Sequence, residues 1–120
     1  MGTAEIEWLF TMKINDGSRD AFEDMIAEMS DHAKENEPGT LGYQWMISED
    51  GSRAEAHERY RDSAAGLVHM KSFNANFAGR LMELVQPTGM IVYGEPDDAL
   101  REALKAARAV FMKPAAGFTR

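Results

Sequence analysis

The chain of 120 residues contains no cysteine, which excludes disulfide stapling, thiolate catalysis and zinc or iron–sulfur centres held by thiolates. It is also short of positive charge: 13 Lys and Arg stand against 20 Asp and Glu, for a formal net charge of -7, and the bases are scattered rather than gathered in a stripe. Such a field repels phosphate backbones, so nucleic acid is not expected as a partner. No apolar run approaches the roughly 20 residues of a bilayer-spanning helix. The opening "MGTAEIEWLF" lacks the basic region and continuous apolar stretch of a secretion signal. Its sixth residue is Ile6, where an N-myristoylation motif needs Ser or Thr. The expectation is a cytoplasmic protein with no membrane partner. Three histidines on separate elements show no metal-ligand spacing, and the glycines form no phosphate-cradling loop. Neither a metal nor a cofactor is therefore expected.

What is present is 44% hydrophobic and 28% charged, the balance of a globular chain long enough for one core and too short for two. Ile6, Trp8, Phe10, Met12 and Ile14 alternate with Glu7, Thr11 and Lys13, the two-residue period of a strand with one apolar face. After "NDG" and Ser18 as N-cap, Phe22, Met25, Ile26, Met29 and Ala33 fall at helical spacing, predicting a first helix that ends before "NEPG". "TLGYQWMIS" puts Leu41, Tyr43, Trp45 and Ile47 on one face of a second strand, and "EDGS" turns it into a third, "RAEAHERY". Asp62 and Ser63 cap a second helical region that reaches Val85 with a break near 74–76, and Pro87 stops it. "TGMIVYGEP" reads as a fourth strand, and "DDALREALKAARAVF" as a third helix running into a short extended segment. The tail "MKPAAGFTR" has no period of its own.

This order predicts an α+β fold: a ferredoxin-like split β-α-β domain over residues 1–96, with two helices on a four-stranded antiparallel sheet. The extra C-terminal helix and tail, residues 97–120, belong to the same domain. Apolar residues occur at both parities of the strands, such as Leu9, Met46 and Ile91 beside Trp8, Trp45 and Met90. The second sheet face therefore needs cover, and a second subunit supplies it in a homodimer.

"EPGTLGYQWMISEDG", followed by "ERYRDSAAGLVHMKSF", resembles the antibiotic biosynthesis monooxygenase family of small dimeric α/β barrel proteins. The patterns "EPG.L.Y" and "E.Y.D..A....H" carry the resemblance, which extends over residues 6–95. It implies a homodimer with a pocket between sheet and helices in each subunit. It also implies a monooxygenase that oxidises a small aromatic, quinol or anthrone-like molecule with dioxygen, without metal or flavin. Such a substrate, once deprotonated, passes an electron to dioxygen itself, so the protein's task is to hold the ring, promote loss of its proton and exclude water.

His69 matches the family's histidine near the start of the second helix and is the candidate catalytic residue, as a base or a substrate hydrogen-bond partner. On an ideal helix it lies at the margin of the stripe Gly66, Met70, Phe73, Phe77, Leu81 and Leu84. Tyr60, matching the tyrosine that ends the third strand, is a candidate substrate-binding residue together with Trp45 and Phe73. Glu58 shares a face with Tyr60 and reads as a solvated or interface carboxylate. His57 faces the other way, His32 lies off the centre of the first helix's stripe, and most of the nine methionines read as core filler. Two other readings share the fold. One is a non-catalytic dimeric module that binds a small ligand. The other is a haem-degrading relative, whose strand asparagine is not reproduced, since the first strand has no asparagine before Asn15.

Overall fold

The computed structural model describes residues 4–120. Five strands form one open sheet: β1 (Ile6–Ile14), β2 (Thr40–Ile47), β3 (Arg53–Tyr60), β4 (Val85–Tyr93) and β5 (Val110–Met112), in the spatial order β2-β3-β1-β4-β5. The first four make the expected antiparallel ferredoxin-like set. β5 adds to the four strands read from the sequence: the extended end of the C-terminal segment pairs parallel with β4 at Ile91 to Tyr93. A parallel pair requires a crossover, here α4 (Asp98–Leu104) and one 3-10 turn, Lys105–Ala107.

Alternation in β1 becomes geometry directly, with Ile6, Trp8, Met12 and Ile14 buried and Glu7 and Lys13 exposed. The helices α1 (Arg19–Asn36), α2 (Ser63–Asn76) and α3 (Ala78–Met82) cover the buried face. One core cluster gathers Phe22, Met25 and Met29 of α1 with Met12, Ile14, Phe77, Leu81 and Val85. The other gathers Trp8, Tyr60, Met90 and Val92 with Leu100 and Leu104 of α4. Phe10 touches both. Among the described residues no helix is long and apolar enough to cross a membrane.

Asp62 caps α2 by accepting the Ala65 N–H at 2.9 Å, and the Ser63 hydroxyl turns instead to the Asp97 N–H at 3.0 Å. Ser18 holds the N-cap position of α1 without a side-chain capping bond. Three local expectations are corrected. The helical region breaks at Phe77 rather than at 74–76, and it ends at Met82. β4 starts two residues before Pro87; the proline sits where β5 does not reach and beside a bulge in the pairing with β1, the kind of place in a sheet that tolerates the ring. A register slip places Thr11 opposite Gly89 and Met12 opposite Pro87, leaving Thr88 as the bulged residue. A second slip, between Thr40 opposite Tyr60 and Gly42 opposite Arg59, removes Leu41 from the face of Tyr43, Trp45 and Ile47. Leu41 is 45% exposed.

β4 is followed by Gly94 with φ 118°, where a β-carbon would stand 2.9 Å from the Glu5 carbonyl oxygen. Gly94→Ala is expected to cost about 2 kcal/mol, from the left-handed backbone and the backbone clash together. A lower urea midpoint at unchanged slope will show it.

Candidate active site

The strand registers set the floor of the site. Tyr43 stands opposite Glu58 and Glu58 opposite Trp8, while the next row runs Trp45, Ala56, Phe10 and Met90. A cavity of about 750 Å³ opens above these rows, walled by Trp8, Phe10, Tyr43, Trp45, Met70, Phe73 and Met90 and closed towards the C-terminal segment by Ala103 to Val110. Its charged lining groups are Glu58, His69 and Arg108. Mostly apolar walls with a few polar groups suit a small ring-bearing molecule.

His69 Nδ1 lies 2.8 Å from Glu37 Oε1, and Nε2 lies 3.2 Å from Glu58 Oε1. Glu37 is the C-cap of α1, an unfavourable place for an anion at the negative end of a helix, and the histidine offsets that charge. The Thr40 hydroxyl also donates to Glu37 Oε1 at 2.8 Å, and the Tyr60 hydroxyl donates to Glu58 Oε1 at 2.6 Å. Aromatic rings enclose the imidazole, with centroids at 5.1 Å for Tyr43, 5.3 Å for Tyr60, 6.3 Å for Trp8 and 6.4 Å for Phe73.

Burial, the largest single influence, pushes the His69 pKa down, but hydrogen bonds and attraction from Glu37 and Glu58 outweigh it and raise the pKa to about 9. The ring is therefore an imidazolium at neutral pH. Glu37 is pushed up by burial, yet the bonds from His69 and Thr40 hold it below its ordinary value. The Tyr43 and Tyr60 hydroxyls are driven well above theirs, first by burial and then by the Glu58 charge. The indole N–H of Trp45 is buried and meets no acceptor in hydrogen-bonding geometry, although the Tyr43 hydroxyl is close enough to feel it. A buried donor without a well-aligned acceptor is costly, and the neighbouring Tyr43 hydroxyl offsets part of that cost.

The structure brings His69, Trp45 and Phe73 to one cavity. Tyr60 is fully buried and stands behind Glu58 and His69. His69 is not at the edge of its helix's apolar face but within it, only 6% exposed, because α2 turns Ala65, Gly66 and His69 inward. Glu58 is not solvated: it is 5% exposed and bonded to His69 and Tyr60. His57 faces outward beside Glu55, and His32 ties α1 to α2 through Ser72 at 3.0 Å. The residues missed from the sequence are Glu37, Thr40 and Glu58. Glu58 had a readable sign, a lone carboxylate at the inward parity of Ala54, Ala56 and Tyr60. Glu37 is the acid of the "EPG.L.Y" pattern, which carried the family likeness but no sign of a role beside His69, and Thr40 had no signal. Among the described residues, no three His, Asp or Glu side chains are placed to hold a metal ion.

A ferredoxin-like sheet with helices on one face and a cavity between them defines the structural class. Over residues 6–76 the chain matches antibiotic biosynthesis monooxygenase, and it belongs to that family. No curated protein matches it. Among solved structures it is similar to MupZ from Pseudomonas fluorescens, at 21% identity over 100% of this chain and 92% of that one, with a TM-score of 0.89. Rv0793 from Mycobacterium tuberculosis is 24% identical over 79% of this chain and 98% of its own, with a TM-score of 0.67. SnoaB from Streptomyces nogalater, a cofactor-independent oxygenase, is 13% identical over 79% and 96%, with a TM-score of 0.66. These likenesses are of fold.

Proposed function

We propose that the protein is a monooxygenase that oxidises a small aromatic, quinol or anthrone-like substrate with dioxygen, using no bound cofactor. The observation that carries this reading is the aromatic-walled cavity whose polar corner holds a buried imidazolium between two carboxylates. Family membership and the oxygenase name of SnoaB support it. Trp45 and Phe73 hold the ring. Tyr60 fixes Glu58 in place, and the cationic His69 stabilises the negative charge left on the substrate when its proton departs. A second copy covers the outer sheet face, where Leu9 and Ile91 are half-buried and Met46 and Tyr93 are exposed.

For an anthrone the balance is one dioxygen consumed per CH2 converted to C=O, with one water released. Oxygen uptake over a panel of quinols and anthrones tests the reading. Trp45→Ala removes one aromatic wall from the seat of the ring and is expected to lower kcat/KM by about 100-fold, the order of loss that a misplaced substrate brings. No uptake by the wild type across the panel would reject the oxygenase reading.

A further inference from the structure

We propose that Glu58, and not His69, takes the proton from the substrate, and that the site accordingly accepts neutral, apolar molecules with one activated C–H or O–H bond at the Glu58 end of the cavity. The inference rests on the oxygenase reading for its substrate class and deepens it by assigning the base.

Hydrogen bonding decides between the two residues. Both ring nitrogens of His69 are turned to carboxylates: Nδ1 is hydrogen-bonded to Glu37, and Nε2 is ion-paired with Glu58 Oε1 at 3.2 Å. An imidazolium between two carboxylates is protonated on both nitrogens and has no lone pair to receive another proton. Glu58 is the reverse case. Its Oε1 accepts from the Tyr60 hydroxyl and stands 3.2 Å from the His69 Nε2 cation, no hydrogen bond among the described residues engages Oε2, and the side chain lines the cavity. Donors on one oxygen aim the carboxylate and leave the other free, the arrangement a positioned base requires. The raised pKa of His69 supports the same division, because neutral imidazole is scarce below about pH 9.

Charge defines what enters. Two carboxylates and one imidazolium leave the Glu58 corner net negative by one, so a carboxylate or phosphate at that end is repelled, while the cavity's other cation, Arg108, belongs to the wall made by the C-terminal segment. When the substrate bond breaks, its electron pair stays on the ring as an enolate or phenolate and the proton goes to Glu58. The total charge is unchanged: the new anion replaces the carboxylate facing the His69 imidazolium. The groups facing His69 are Trp8 from β1, Thr40 and Tyr43 from β2 and its preceding turn, Glu58 and Tyr60 from β3, Glu37 from the end of α1, and Phe73 from its own helix. Of these only Glu37 and Glu58 are carboxyl groups.

Anthrone in buffered D2O under nitrogen isolates the step, because exchange of its methylene protons, followed by proton NMR, needs a base and no oxygen. The wild type is expected to accelerate exchange above buffer, and Glu58→Gln, of nearly the same shape, to lose about 100-fold or more of that acceleration. The wild-type pH profile needs no variant. With Glu58 as base the acceleration is level through neutrality and falls above about pH 9, as the His69 charge is lost. With His69 as base it climbs steadily to that pH instead, and such a climb overturns the proposal. So does wild-type exchange by a Glu58→Gln protein whose circular dichroism shows it folded. Exchange without oxygen uptake on the panel upholds Glu58 and rejects the oxygenase reading; uptake without exchange above buffer does the opposite.

Discussion

His69→Leu is expected to lower stability at neutral pH by about 3–5 kcal/mol, the usual cost of deleting one partner from a buried ion pair. Leucine fills much of the same space, so the cost is electrostatic. Glu37 and Glu58, 6% and 5% exposed, each lose the cation that holds them, and each keeps a single hydroxyl donor, Thr40 or Tyr60. Two carboxylates that shared an imidazolium are left facing one another's charge in a low-dielectric corner. Urea unfolding at neutral pH reads the loss. Adding Glu37→Gln and Glu58→Gln to the same chain is expected to restore most of it, because a neutral hydrogen-bonded cluster carries no uncompensated charge. A triple variant no more stable than the single one would mean that packing, and not charge, sets the cost.

The same cluster gives the wild type a pH signature. The folded-state pKa of His69 is about 9 against an ordinary 6.5, so the folded protein holds this proton more tightly than the unfolded chain. Its stabilisation is complete below about pH 6.5 and is lost as the pH rises to about 9, amounting to roughly 3 kcal/mol. Glu37 has the opposite sign: its pKa is depressed, so its contribution is present above the ordinary carboxylate range and is lost as acid protonates it. Stability should therefore peak at mildly acidic pH and decline on both sides, and His69→Leu should lack the alkaline decline. Unfolding midpoints across the pH range measure both limbs.

What the sequence disclosed about this site follows from where each residue's signal lies. The first four strands were legible because each has one buried face, and alternation records burial directly: Ile6, Trp8, Met12 and Ile14 face the helices as their spacing requires. Leu41 misled because a bulge adds one residue without changing the local pattern, and three-residue β5 is too short to have a period at all. His69 was found through its motif, yet its chemistry was not, since its character comes from Glu37, 32 residues away in sequence. No spacing rule links the C-terminal end of one helix to the middle of another. Glu58 lay within reach of the parity argument, which places it with Tyr60. A carboxylate between a buried alanine and a buried tyrosine needs a cation or a substrate to justify it.

Ending the chain at Pro96 is expected to abolish cooperative folding, whereas ending it at Lys113 should leave the unfolding midpoint unchanged. Leu100 and Leu104 are fully buried against Trp8, Tyr60, Met90 and Val92. Their approach depends on the bare backbone of α2, since a β-carbon at Gly66 would meet Leu100 Cδ2 at 3.1 Å and Trp8 Cζ3 at 3.3 Å. Losing either leucine side chain costs about 3 kcal/mol. Removing both, together with β5 and Phe111, whose ring lies 4.4 Å beneath the Arg101 guanidinium, approaches the whole stability of a domain this size, about 5–15 kcal/mol. The same cut removes the cavity wall from Ala103 to Val110. Residues beyond Lys113 are exposed, Phe118 by 81%, so their removal uncovers no core. Circular dichroism during urea unfolding of the two truncated chains separates the cases. A sharp transition in the chain ending at Pro96 would make residues 6–95 a self-sufficient unit, with the C-terminal segment a wall added to the cavity rather than a part of the core.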